Sequence, residues 1–236
     1  MTGNNYAIWF SAISTFLLAI VALFKDGILK YFLRPIIELE FNLNSPDCFK
    51  NTLREKKDGK TGNTIIYFEY RFRVINNGKS TAKNVEVAIQ EIMKKKGDKY
   101  FRIEAFLSDN LDWNSAFLDQ DKIGKIYYDN IFSDTFKFCE LGRILEPEKR
   151  HLIPLENNPK LPIKEKEETI FSLNIIKRYN NLYFLLSPGT YKIKVLVAGE
   201  NFKLIKKEYE LEITGKWFED EARMLNEGVK LKKTQI

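Results

Sequence analysis

The chain opens with a block that has no polar period. Residues 6–24 read YAIWFSAISTFLLAIVALF, with no charge, proline or glycine. As a helix these 19 residues extend about 28 Å, close to the hydrocarbon thickness of a bilayer. Tyr6 and Trp9 stand near one end, where amphipathic rings favour the headgroup level, and Phe10, Phe16, Leu17, Leu18 and Phe24 continue the span. Lys25, Lys30 and Arg34 lie beyond the other end. A cleaved signal peptide would carry a basic leader and a small-x-small cleavage site. Here no Lys or Arg precedes the run, and it ends in Ala22-Leu23-Phe24-Lys25. An interfacial helix would show a polar face, and this one has none. The expectation is a transmembrane anchor with its juxtamembrane join over residues 1–34. Gly27 is expected to interrupt the helix, leaving Ile28, Leu29, Phe32 and Leu33 along the membrane surface. Pro35 ends any helix and pushes Arg34 toward an extended conformation.

Beyond Pro35 the period changes to two, the mark of strands with one buried face. Ile37, Leu39, Phe41 and Leu43 alternate with Glu38, Glu40 and Asn42. Ile66, Phe68, Tyr70, Phe72 and Val74 alternate with Tyr67, Glu69, Arg71 and Arg73. Three further runs follow the rule: Val85, Val87 and Ile89; Tyr191, Ile193, Val195 and Val197; Tyr209, Leu211 and Ile213. Turn chemistry separates them. Asn76-Asn77-Gly78 offers positive-φ residues, Lys96-Gly97-Asp98 reads as a hairpin tip, and Ser187-Pro188-Gly189 as a tight turn. Residues 147–162 hold Pro147, Pro154, Pro159 and Pro162 and read as a crossover loop, with a further strand near Thr169–Ile176.

The fold class is therefore mainly β: an N-terminal transmembrane helix, an elaborated immunoglobulin-like β-sandwich over 35–215, and a short amphipathic C-terminal helix with a basic, frayed tail over 216–236. Two motifs carry a resemblance. Val74-Ile-Asn-Asn-Gly-Lys-Ser-Thr-Ala-Lys-Asn-Val85 resembles the V-x-N-x-G-x-x-x-A-x-N-V hairpin of bacterial immunoglobulin-like domains of the cell-adhesion-related type. Pro188-Gly-Thr-Tyr-Lys-Ile-Lys-Val195 is similar to their P-G-x-Y-x-I-x-V strand. The layout of one helix, then Arg34-Pro-Ile-Ile-Glu-Leu-Glu-Phe41, then a sandwich, resembles a recurrent bacterial single-pass type. The resemblance implies a fold and is silent on activity. At about 180 residues the domain exceeds the roughly 100 of a plain immunoglobulin-like unit. The excess is expected as an elaboration at 94–168, with Trp113, Tyr127 and Tyr128 either in a second small core or lining a recognition pocket.

Charge sets an orientation. The net charge is +6, with Lys25, Lys30 and Arg34 against Asp26 in the first 34 residues. Met1–Asn5 carry no Lys or Arg, so the positive-inside rule places the N-terminus outside and the domain in the cytoplasm, at a bacterial inner membrane. The bias beyond the anchor is too mild and dispersed to indicate nucleic acid. Cys48 and Cys139 are read as reduced thiols, with one disulfide as the alternative.

The chemistry is sparse. Gly78-Lys79-Ser80 resembles the end of a P-loop, but Arg73 stands where the motif needs its first glycine, and a strand follows. His151 is the single histidine, so neither a zinc site nor a histidine-based triad is indicated, and no cofactor is expected. Lys94, Lys95, Lys96 and Lys99 form the densest basic cluster: a contact for phosphate groups, or a hairpin tip kept soluble. With Trp113 they are the candidate contacts for a ligand or partner. The expected function is a membrane-anchored cytoplasmic binding or sensing module without catalytic activity, recruiting a protein partner or ligand. The alternative is a small membrane effector of the phage-defence kind. There, ligand sensing by the sandwich drives homo-oligomerisation of the helix and perturbs the lipid bilayer. An enzyme acting on a membrane substrate ranks last.

Overall fold

A computed structural model of the chain describes residues 3–57, 60–113, 124–152, 168–177 and 182–234. The apolar block forms α1, Gly3–Phe32, and none of its described side chains is buried. Within it, Tyr6–Lys25 is long and apolar enough to cross a membrane, with a mean hydropathy of 2.3. Gly27 does not interrupt the helix, which runs on to Phe32. One glycine within a long helix costs only about 1 kcal/mol, and flanking turns absorb it. The helix stops at Leu33, ahead of Arg34-Pro35.

The remainder is two antiparallel sheets face to face. The first holds β1 (Ile37–Glu40), β2 (Cys48–Lys57), β3 (Lys60–Asn76), β8 (Thr135–Leu145), β9 (Phe171–Leu173) and β10 (Leu185–Leu186). They run in the order β1-β3-β8-β9-β10, with β2 also paired to β3. The second holds β4 (Ala82–Lys96), β5 (Lys99–Arg102), β6 (Asp109–Asn110), β7 (Tyr127–Ile131), β11 (Gly189–Ala198), β12 (Ile205–Ile213) and β13 (Val229–Lys233). Its order is β13-β12-β11-β4-β5, with β6 and β7 on the remaining length of β4. The alternating residues meet between the sheets. Phe68, Phe72, Val85, Val87, Ile89, Val195, Val197 and Leu211 are fully buried, and the Phe72 and Tyr209 rings lie 5.0 Å apart.

Three expectations change. The tail after Gly228 is not frayed: Val229–Lys233 pairs with Tyr209–Ile213 as β13, burying Val229 and Leu231. The expected short C-terminal helix precedes it, α2 (Glu221–Arg223) running into a wider turn at Met224–Gly228. Segment 94–168 supplies β8, central in the first sheet, and Trp113 is buried in the main core against Tyr128 at 5.4 Å rather than in a core of its own. The outward face of β3 is not simply solvated. Glu69 is buried and accepts from Asn51, Arg73 meets Asp47 at 2.6 Å, and the Arg71 guanidinium lies between the Phe49 and Phe138 rings at 4.5 and 4.1 Å. The crossover prolines Pro154, Pro159 and Pro162 lie outside the described residues. Pro147 starts a 3-10 turn, Pro147–Leu152.

Candidate functional site

The basic cluster is shaped by an irregularity in β4. Val195 pairs with Ile89 and Lys194 with Glu91, so Gln90 is an extra residue, a β-bulge. One inserted residue reverses the inside–outside parity of everything after it. Val85, Val87 and Ile89 face the core before the bulge; afterwards Ile92 does, opposite Ile193, and then Lys94, opposite the buried Tyr191. Lys94 and Lys96 therefore continue the inward face past the end of the apolar core. Lys95 falls on the outer face, opposite Tyr100, whose ring lies 6.0 Å from its Nζ and 4.7 Å from Lys192 Nζ. Lys99 is opposite Lys96 at the exposed tip, where Gly97 adopts φ 59°. Of the four lysines, then, two share a wall of one groove, one points away and one stands at the exposed hairpin tip. Trp113 lies in the core and takes no part.

The groove, about 480 Å³, runs between the β4–β5 hairpin and the segment around β10. Leu185, Leu186 and Tyr191 form its buried base. Lys94 Nζ donates to Ser187 Oγ at 2.8 Å and sits 5.2 Å from the Tyr191 ring centre. The Tyr191 hydroxyl in turn donates to Ser187 O at 2.8 Å. Phe101 and Tyr183 expose their rings at the mouth, and Lys96 Nζ stands 6.0 Å from the Phe101 ring. No Asp or Glu is among the described lining residues, and neither Lys94 nor Lys96 makes an ion pair among the described residues. Arg102, at the edge, is shared between Glu91 at 3.7 Å and Glu104 at 3.9 Å.

A second depression of about 580 Å³ lies on the outer face of the second sheet. Its cations are matched in part: Lys194 meets Glu91 at 2.6 Å and Lys192 meets Glu208 at 3.2 Å, while Lys206 and Lys207 make no ion pair among the described residues. This depression carries two carboxylates among its cations and no aromatic ring, whereas the lysine groove has no carboxylate among its described lining residues and three rings, so the groove is the better candidate although it is smaller.

The other end of β4 holds the junction with α1. Asn76 is buried, and its amide ties four backbone groups. Oδ1 accepts from Ile36 N–H at 3.2 Å and Gly78 N–H at 3.0 Å; Nδ2 donates to Ser80 O at 2.8 Å and Ile131 O at 3.0 Å. Asn77 N–H donates to Ile36 O at 2.8 Å. Gly78 does not have positive φ, contrary to the turn expectation; Asn84 does, at 49°. Gly78 is required by close approach, since a Cβ there would stand 2.3 Å from Ile36 N and 2.6 Å from Arg34 O. Its N–H is consumed by Asn76, so Gly78-Lys79-Ser80 presents no phosphate cradle.

The helix residues Tyr6, Trp9, Phe10, Phe16, Leu17, Leu18 and Phe24 are all exposed. Elsewhere the reactive groups are quiet. Cys48 and Cys139 are buried free thiols raised in pKa by desolvation. His151 is exposed, its Nδ1–H donating to Glu148 O at 2.8 Å. The described residues contain no group of three or more His, Cys, Asp or Glu placed to hold a metal ion. Sequence reasoning missed Phe101, Ser187, Tyr183 and Tyr191. The available signal was the apolar spacing, which lengthens from two at Val87–Ile89 to three at Ile89–Ile92. Comparison of the chain with protein-family models, with curated proteins and with solved structures finds no match.

Proposed function

We propose that this is a single-pass membrane protein whose immunoglobulin-like sandwich is a cytoplasmic binding module at a bacterial inner membrane, without catalytic activity of its own. One observation carries the reading: an apolar helix, none of whose described side chains is buried, leads within four residues into Arg34 and Ile36, which are hydrogen-bonded to the domain. Leaving such a surface in water is unfavourable by about 25 cal/mol per Å², and a bilayer removes that cost. The unbroken run to Phe32 favours an anchor over a removable leader. Residues 26–32 add about 10 Å of helix beyond Lys25, a short stalk near the headgroup depth. In this reading the loops beside the junction, with exposed Lys79, Phe132 and Leu204, face the lipid. They are tied together by Ser133 Oγ donating to Gly78 O at 2.5 Å and Asn201 Nδ2 donating to Thr81 O at 2.9 Å. The immunoglobulin-like assignment rests on the two facing antiparallel sheets and on the two motifs, and the cytoplasmic side rests on the Lys and Arg asymmetry.

Alkaline carbonate extraction of membranes, with intact mass analysis of the pellet, tests this. The uncleaved 27.7 kDa chain is expected in the pellet and a variant lacking residues 1–34 in the supernatant. Release of the full chain, or a shortened mature product, sinks the proposal.

A second reading, self-association of the helix toward an effector role, draws on the small residues Ala7, Ser11, Thr15 and Ala19 at four-residue spacing. It predicts membrane depolarisation on overexpression that disappears when residues 1–34 are removed. Depolarisation that persists without them contradicts it.

A further inference from the structure

We propose that the groove under the β4–β5 hairpin binds a soluble aromatic phosphate ester, with the phosphate on Lys94 and Lys96 and the ring against Phe101. This deepens the binding-module reading and rests on it.

Three features fix the ligand class. The first is charge. A lysine on the inward face of a sheet is normally paired or absent, since desolvating its ammonium is costly. Here two follow one another on that face, brought there by the bulge at Gln90, with no carboxylate among the described residues around them. A dianion supplies the missing partner. Lys94 is also preorganised. Ser187 Oγ and the Tyr191 ring hold its ammonium, leaving two N–H donors for a ligand oxygen.

The second is the apolar wall. Phe101 is half exposed beside Lys96, and Leu185 and Leu186 close the groove behind. An inorganic anion would leave that wall wet; a ligand ring covers it. At about 480 Å³ the space suits a small organic molecule.

The third is position. β4 runs from Ala82, opposite Ile131 at the junction, to Lys96 in the groove, about 45 Å along the strand. The groove therefore stands at the end of the sandwich remote from α1. A lipid headgroup of the membrane that holds α1 does not reach it, so the ester comes from solution.

The test is titration of the full chain in detergent, followed by the Trp and amide signals, with phenyl phosphate, adenosine 5′-monophosphate, inorganic phosphate and a hexaglutamate peptide. Both aromatic esters are expected to saturate, and inorganic phosphate to bind at least about tenfold more weakly. Lys96→Met, at an exposed position, and Phe101→Ala should each weaken ester binding about tenfold, while Lys95→Met stays within about twofold. Lys94→Met should do the same as Lys96→Met, with its melting temperature recorded because Lys94 is partly buried. Four outcomes overturn the inference: no saturation by either ester at about 10 mM, inorganic phosphate binding as well as the esters, equal loss in Lys95→Met and Lys96→Met, or saturation by hexaglutamate alone. The last would assign the groove to an acidic protein partner. None of these outcomes alters where the chain partitions in carbonate, so failure here and failure of the anchor are separable.

Discussion

The side-chain carbonyl of Asn76 accepts the backbone N–H of Ile36 at 3.2 Å, and through it the strand that follows α1 is fastened to the end of β3. The same amide satisfies Gly78 N–H, Ser80 O and Ile131 O. One buried side chain thus joins the helix exit, the β3–β4 turn and the end of β7. Replacing it by Ala leaves several buried backbone groups unpaired. Asn76→Ala is expected to lower the unfolding free energy by about 2–4 kcal/mol, whereas Asn77→Ala, at an exposed position, changes it by less than about 0.5 kcal/mol. Urea titration of the full chain in detergent measures both, and equal effects would contradict the assigned role.

Gly78 makes a separate prediction at the same place. Its missing Cβ is what lets Arg34, Pro35 and Ile36 lie against the turn. Gly78→Ala should cost about 1–3 kcal/mol, because the neighbours that must yield are backbone atoms rather than flexible side-chain ends. The loss should exceed that of Gly97→Ala, whose position at the tip has open space but positive φ. Melting temperatures of the two variants provide the comparison.

Much of this fold was legible because period-two alternation follows directly from a sheet with one buried face. The inward residues of β1, β11 and β12, and of β3 from Phe68 to Val74, follow that rule, and the hairpin at Gly97 follows from its turn residues. Ahead of Phe68 the expected outward Tyr67 is buried with Ile65 and Leu145, while Ile66 is only half-buried. Bulges defeated the rule. At β8 the extra residue is Leu141, between Glu140 opposite Arg71 and Gly142 opposite Tyr70, so the strand shows no clean alternation although it is central. At Gln90 a bulge concealed that two lysines of an apparent surface cluster turn inward. β13 was hidden for a different reason. VKLKK is short and charged, and its pairing is set by β12 and the buried turn at Met224–Gly228 rather than by its own propensity. The ring and hydroxyl partners of the groove come from β5, from the residues flanking β10 and from β11, separated by up to about ninety positions, and no local pattern connects them.

Removing β13 tests that correction. Truncation after Gly228 uncovers the sites filled by Val229 and Leu231 and strips the partner from β12. Burial of each such side chain contributes about 1.5–3 kcal/mol, so a loss of several kcal/mol is expected, with self-association through the exposed β12 edge. A frayed tail would leave both the melting temperature and the sedimentation behaviour unchanged.

The two thiols supply a pH prediction. Cys48 pairs with Tyr70 and Cys139 with Phe72 on opposite sides of β3, so about 10 Å of sheet separates them, too far for a disulfide. Burial raises both above the ordinary thiol value of 9.0, and it raises the Tyr70 and Tyr209 phenols above 10.0. These groups stay protonated in the folded domain at a pH where the unfolded chain releases its protons. The folded state then binds more protons, and its stability, complete below about pH 9, falls as pH rises above it. A lower urea midpoint at pH 10 than at pH 8 is expected, together with thiol labelling that appears only on unfolding. An equal or higher midpoint at pH 10 would contradict the assignment.

The proposed anchor is tested most directly by single spin labels placed in turn at residues 6–32 of the full chain in lipid nanodiscs. Collision with dissolved oxygen and with a water-soluble nickel chelate reads lipid and water exposure at each position. The account predicts high oxygen and negligible chelate access on every face of the helix from Ile8 to Ala22, with chelate access returning beyond Lys25. Chelate access alternating every three to four residues across Ile8–Ala22 would mean a helix lying on the surface and would contradict it.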